Sequence, residues 1–226
     1  MCEVLIHSGL HADASAILGY APARPCARDL EIGTDATIRG GSTIYLGSRI
    51  GKRFETGHNV VIREDCTIGD DVSIWSNTVV DYGCRIGDGV KIHSNCYIAQ
   101  YTEIEDGAFL APGVSVANDL YPGQAASARV MSGPVIGARA QIGVNVTLLP
   151  FVRIGAGALI GAGAVVVVDV PDGCVAFGSP AEVRGRVAEL SSIEERVEAV
   201  SGSASRFRRS RTSKVRLLTE RADDDR

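Results

Sequence analysis

Every sixth residue from Ile32 to Val116 is aliphatic, with a single exception. The series runs Ile32, Ile38, Ile44, Ile50, Thr56, Ile62, Ile68, Ile74, Val80, Ile86, Ile92, Ile98, Ile104, Leu110 and Val116. An amphipathic helix needs apolar residues every three or four positions and a half-buried strand needs them every two. A strict period of six satisfies neither. Held over this length, it predicts an all-β chain folded as a hexapeptide-repeat parallel β-helix.

Two further columns keep the same period. Two positions before the aliphatics stand compact residues: Ala36, Ser42, Ser48, Cys66, Thr78, Cys84, Cys96, Thr102 and Ala108. Three positions after them run Asp35, Gly41, Gly47, Asn59, Asp65, Asp71, Asn77, Gly83, Gly89, Asn95, Gly107 and Gly113. Gly, Asn and Asp tolerate positive φ and make tight turns. Each hexapeptide is therefore a short strand plus a corner, and three of them close one triangular coil. The Ile-Gly dipeptides at 32–33, 50–51, 68–69 and 86–87 recur at the matching interval, on one corner of successive coils.

The rhythm stops at Val116 and resumes at Ile136, Ile142, Leu148, Ile154, Ile160 and Val166, and the step between is not a multiple of six. Residues 117–133 must leave the coil as an extruded loop, and long loops in tightly repetitive domains usually carry function. The expected organisation is an N-terminal cap over 1–30 and a β-helix of about seven coils over 31–180. A helix over 181–200 follows, from the spacing of Val183, Val187, Leu190, Ile193, Val197 and Val200, with Ser191 to Glu194 as a capping box. Residues 201–226, with a basic block and an acidic end, read as a disordered tail.

Composition narrows the functional classes. A formal net charge of −4 gives no electrostatic case for nucleic acid. No apolar run is long enough to span a membrane, and the first residues lack the basic start of a secretory signal, which sets the expectation of a cytoplasmic protein. Of the six cysteines, Cys66, Cys84 and Cys96 fall in the compact column, and Cys2, Cys26 and Cys174 have no paired spacing. They read as buried small side chains, with no disulfide and no metal site expected.

The repeats, the extruded loop and the closing segment Asp169–Arg186 (DVPDGCVAFGSPAEVRGR) resemble the left-handed β-helix acyltransferases. The pattern from Val170-Pro171 to Pro180-Ala181 is the most specific part of that resemblance. Handedness comes from the resemblance alone, since the general rule for crossovers favours the opposite hand. Within the superfamily, Lys91–Pro122 is similar to the N-acetyltransferases of nucleotide-linked 3-amino sugars, in register and without gaps. Their Gln-Asn-Asn appears here as His93-Ser94-Asn95, and the Arg that follows the loop proline in them is Gly123.

The resemblance implies a homotrimer, with acetyl-CoA lying along the C-terminal coils between neighbouring subunits and an amino sugar as acceptor. Acyl transfer passes through a tetrahedral oxyanion and needs a proton acceptor and firm positioning of two substrates. His93 follows interior Ile92, so it points outward and is the candidate general base or orienting group; an exposed surface imidazole would occupy the same position. Asn118 and Asp119 open the extruded loop and are the candidates for holding the amine, against a plain turn role at a strand exit. Ser94, Asn95 and His58 border the His93 edge as substrate-binding candidates, although Asn95 also continues the corner column of Asn59 and Asn77. For the cofactor, Gly143, Gly161 and Ala162 would let the pantetheine arm approach the backbone. Pro180 and Ala181 would border the channel, and Arg184 and Arg186 would meet the phosphates.

An O-acetyltransferase of a sugar or of serine fits the same scaffold. A zinc hydratase of the gamma-class carbonic anhydrase type needs a third histidine in the solenoid, which the repeats lack. A non-catalytic scaffold needs neither the loop nor the closing segment.

Overall fold

A computed structural model describes residues 3–24, 26 and 29–190. The described residues up to Val187 belong to one compact unit, and residues 188–190 fall outside it in a second. The first is a parallel β-helix with three faces, two of them sheets of 8 strands and one of 10. Strands one coil apart pair in parallel and in register, as Ile74 with Ile92 and Ile92 with Leu110. The period-six aliphatics stack inside in ladders, and Ile32, Ile38, Ile44, Ile62, Ile74, Ile92, Ile98 and Leu110 are fully buried.

The turn column behaves as its composition requires. Every Asp, Asn and Gly named in it has positive φ, from 57° at Asn59 to 87° at Gly47. Arg53 and Tyr101 occupy the same column position and take φ 54° and 60°, so geometry rather than residue type sets the corner there. A side chain with a Cβ costs about 1–2 kcal/mol in this region, which the stacked coils on either side offset.

The compact column is more than filler. Ser42 Oγ donates to the Gly57 carbonyl, Ser48 Oγ to that of Arg63 and Thr78 Oγ1 to that of His93, at 3.1, 2.8 and 2.9 Å. The thiols of Cys66, Cys84 and Cys96 make the same bond to Asp81, Ala99 and Ala111. Contact with Cys66 and burial push the Cys84 thiol up, and burial pushes Cys96 up, so both stay protonated donors.

The one break in the aliphatic series has a local remedy. Thr56 is buried, and its Oγ1 accepts the Arg39 N–H at 2.9 Å, which satisfies a corner donor. Phe54, two residues earlier in the compact column, is fully buried and replaces the volume that an isoleucine at 56 would supply.

Both ends differ from expectation. The N-terminal region is itself a coil: Val4–Ile6, His11–Ala12 and Ile17–Tyr20 pair in parallel with Leu30–Ile32, Thr37–Ile38 and Thr43–Tyr45. Its periodicity is weak because an end coil has a neighbour on one side only, and Leu5 and Ile6 are exposed. Six coils therefore precede the loop and two follow it, eight in place of seven. At the other end, Ala181–Arg186 is a strand antiparallel to Cys174–Gly178, followed by a 3-10 turn at Val187–Glu189. The helix expected from residue 181 is thus corrected. The last coil leaves an open sheet edge, and pairing with it satisfies backbone groups that a helix would leave bare. The remainder of that expected helix and the tail 201–226 lie outside the described residues.

Candidate functional site

The predicted site residues fall on two different corners of the prism. On the corner after the 10-stranded face, Gly57, Trp75, His93, Ala111, Gly143 and Gly161 stack as one column, each N–H bonded to the carbonyl that precedes its counterpart in the next coil. His58, Ser94 and Ala162 occupy the adjoining column, and Asn95 takes φ 61° in the turn column beside it. Asn118 and Asp119 stand on the corner after the next face, where Val116 ends its strand and the loop departs. One chain does not bring His93 and Asn118 together.

His93 is half-buried between Trp75 and Phe109, with ring centroids 6.5 and 5.0 Å away. Its carbonyl accepts Thr78 Oγ1, which pins the corner beneath the imidazole. The ring has aromatic contacts but no carboxylate partner among the described residues, so nothing there orients a chosen tautomer by charge. His58 is exposed, and its N–H is taken by Ser76 Oγ at 3.0 Å. Asn95 belongs to the turn column with Asn59 and Asn77, whose side chains bond to each other at 3.3 Å.

The proposed cofactor residues divide as well. A Cβ at Gly143 would lie 2.6 Å from the Ala162 backbone nitrogen, so coil stacking itself demands glycine. A Cβ at Gly161 would lie 2.7 Å from Cβ of Phe177, which covers that position. Ala162 remains exposed, as does Val144, 43% exposed, and together they leave a small apolar surface in the column adjoining that of His93. Pro180 sits in the turn of the terminal hairpin and Ala181 is buried beneath it. Arg184 pairs with Glu182 at 2.8 Å and lies 5.9 Å from the Phe177 ring, while Arg186 is engaged elsewhere.

At the loop corner, Asp119 is turned into the loop. Its Oδ1 accepts the Tyr121 N–H at 2.7 Å and its Oδ2 lies 2.8 Å from Ser127 Oγ. This is turn chemistry, and it leaves Asn118 as the loop-base residue facing the corner. Asn118 Nδ2 donates to Gln100 Oε1 at 2.6 Å, and its backbone carbonyl accepts the Ser132 N–H, closing the base of the loop. Gln100 in turn bonds Asp81 at 2.5 Å.

Beside these bonded amides, Arg63 grips Glu64 through two bonds of 2.9 and 3.1 Å and faces Asp81 at 3.5 Å. Sequence reading passed over Arg63, Glu64, Asp81 and Gln100. The signal was there: charged and amide side chains gather at this corner, and Gln100 and Asn118 hold equivalent positions in successive coils.

Glu64 is only 1% exposed. Burial pushes its pKa up, but the Arg63 hydrogen bonds, its own backbone N–H and the Arg63 charge outweigh this and hold it below 4.5. A lowered carboxylate pKa contributes stability that is complete above 4.5 and lost as pH falls through the folded value. Glu64→Gln is therefore expected to cost about 1–3 kcal/mol at neutral pH. The deficit should shrink below 4.5, measured by urea unfolding across pH; a deficit independent of pH would refute the charge argument.

Among the described residues no group of three or more His, Cys, Asp or Glu is placed to hold a metal ion, and no helix is long and apolar enough to cross a membrane. The described cysteines form no disulfide.

The family model described as Bacterial transferase hexapeptide (six repeats) matches residues 47–81, 83–118 and 133–167, breaking where the loop leaves the coil. A stretch of 58 residues is 41% identical to the 2,3,4,5-tetrahydropyridine-2,6-dicarboxylate N-acetyltransferase of Staphylococcus aureus (strain JH9). That match spans 26% of this chain and 24% of the relative. The UDP-N-acetylglucosamine acyltransferase from Campylobacter jejuni shares the fold, with a TM-score of 0.53 at 18% identity over 84% of this chain and 79% of that one. The PerB structure from Caulobacter crescentus in complex with CoA and GDP-perosamine is 26% identical over 81% of this chain and 58% of that chain, with a TM-score of 0.33.

Proposed function

From its membership of the hexapeptide-repeat acyltransferases, enzymes built on the left-handed parallel β-helix, we propose that this chain moves an acetyl group from acetyl-CoA to an amine, and that the amine belongs to a nucleotide-linked amino sugar. The observation that carries the choice of amine is the setting of His93. Its imidazole is framed by Trp75 and Phe109, with no carboxylate to orient it among the described residues. A hydroxyl acceptor depends on a strong, oriented base. A neutral amine is already nucleophilic and asks less of the imidazole. The similarity of Lys91–Pro122 to the 3-amino-sugar enzymes supports the sugar class.

In this reading His93 accepts or guides the proton of the attacking amine, and Asn118 at the loop base holds that amine. Acetyl-CoA supplies the activated acyl group. Val144 and Ala162 offer its pantetheine arm the exposed apolar surface, with Arg184 free to leave Glu182 for a phosphate. Since His93 and Asn118 sit on different corners, a site that uses both draws them from two neighbouring subunits. The homotrimer supplies that geometry.

A thioester assay on the purified chain tests the reading, comparing a nucleoside-diphosphate-linked 3-amino sugar with its 3-hydroxy counterpart and with serine. Faster turnover of the amine supports it, and preference for either hydroxyl acceptor overturns it. In the same assay Ala162→Leu should raise the KM for acetyl-CoA about tenfold with kcat little changed, because the added side chain occupies that surface. An unchanged KM would move the cofactor off this corner.

A further inference from the structure

The amides at the loop corner have only one sense in which they can bond. Asp81 is 6% exposed and its carboxylate only accepts. Its Oδ1 takes the Tyr82 N–H at 2.8 Å and faces Arg63 Nη1 at 3.5 Å. Its Oδ2 takes the Tyr97 hydroxyl at 2.9 Å and Gln100 Nε2 at 2.5 Å. Burial and the bond to Asp81 push the Tyr97 hydroxyl up to about 12, so it remains a donor. Gln100 must therefore turn its NH2 group to Asp81, which aims its Oε1 at Asn118. Asn118 must answer with Nδ2, at 2.6 Å, and the same nitrogen lies 3.6 Å from Met131 Sδ. With its donors committed inward, the Asn118 side-chain carbonyl oxygen is left to face outward at the base of the loop.

We propose that Asp81 is a positioning residue: held by Arg63, it fixes the orientation of Gln100 and Asn118 so that the Asn118 Oδ1 meets an N–H of the acyl acceptor. This rests on the reading of Asn118 as part of the acceptor site. Hydrogen bonds aligned in one sense polarise one another, so the terminal oxygen becomes a stronger acceptor. The site then requires a donor at this point, which an amine provides and a carbonyl, carboxylate or phosphate does not.

The relay predicts a reversal. Asp81→Asn keeps the shape but gives Gln100 a donor to face, so both amides turn over and Asn118 presents NH2 outward. Its kcat/KM for a nucleoside-diphosphate-linked 3-amino sugar should fall at least tenfold, with the KM for acetyl-CoA within twofold of wild type. Asn118→Asp alone should also be impaired, since its carboxylate faces Gln100 Oε1. In the double variant D81N/N118D, Gln100 donates to the carboxylate introduced at position 118, and an acceptor oxygen again faces outward. The double variant should therefore exceed either single variant by about tenfold.

Additive losses in the double variant, or an Asp81→Asn enzyme within twofold of wild type, overturn the proposal. Neutron diffraction from deuterated crystals of the full chain reads the relay without any substrate. Deuterons on the Gln100 nitrogen pointing to Asp81, and on the Asn118 nitrogen pointing to Gln100, are expected, and the reverse arrangement overturns it. If wild type acetylates no amine while the neutron map shows the expected sense, the acceptor role assigned to the relay falls together with the amine reading. If amines are acetylated and the map is reversed, the relay alone fails.

Discussion

Mixing His93→Ala subunits with Asn118→Ala subunits is expected to restore activity that neither variant has alone. His93→Ala by itself should lower turnover about a hundredfold with little change in acetyl-CoA affinity. That is the low end for a general base, because no carboxylate among the described residues orients the imidazole. Asn118→Ala should impair acceptor use. In a trimer assembled from both, some interfaces unite the intact His93 of one chain with the intact Asn118 of its neighbour. Random assortment makes about a quarter of the sites whole. Refolding or co-expression followed by the thioester assay measures it. Activity that never rises above the better single variant would place both residues in a site within one chain, or place one of them outside the site.

Phe54→Ala should be the most damaging single change in the solenoid, at about 3–5 kcal/mol. The ring is fully buried in a column that, from Ala36 to Ala164, is otherwise filled by residues no larger than valine, and it compensates for Thr56 beside it. Removing it leaves a cavity between stacked coils, where the backbone ladders on three faces resist collapse. Denaturant unfolding gives the number directly. A loss below about 1 kcal/mol would mean that the coils close over the gap, against the packing argument.

Much of this molecule is legible in one dimension because its contacts recur at fixed intervals in the chain. Ile74, Ile92 and Leu110 stack because each holds the same position in successive coils, so a column on the page is a ladder in the core. The turn column could be read the same way, down to the positive φ of Asn59, Asn77 and Asn95. The end elements were less legible. Val183 and Val187 fit a helical spacing, but an open sheet edge captured Ala181–Arg186 as a strand. Local periodicity does not register what lies unpaired nearby.

The site was harder still, since a role depends on which corner a residue occupies and what its neighbours leave free. Gly143 and Gly161 look like cofactor glycines in sequence, yet contacts with Ala162 and Phe177 account for both. Asp119 looks like a proton acceptor, yet Tyr121 and Ser127 engage it. Gln100 drew no notice, and it is the residue that orients Asn118.

By itself the sequence determined the coil, its interior and the point where the loop leaves, because those follow from a repeat that backbone geometry enforces at every turn. Only the tertiary structure decided that His93 and Asn118 stand on separate corners and that Asp81 governs the amides beside the loop. Those relations join residues through side-chain directions and hydrogen-bond sense, which no interval along the chain encodes.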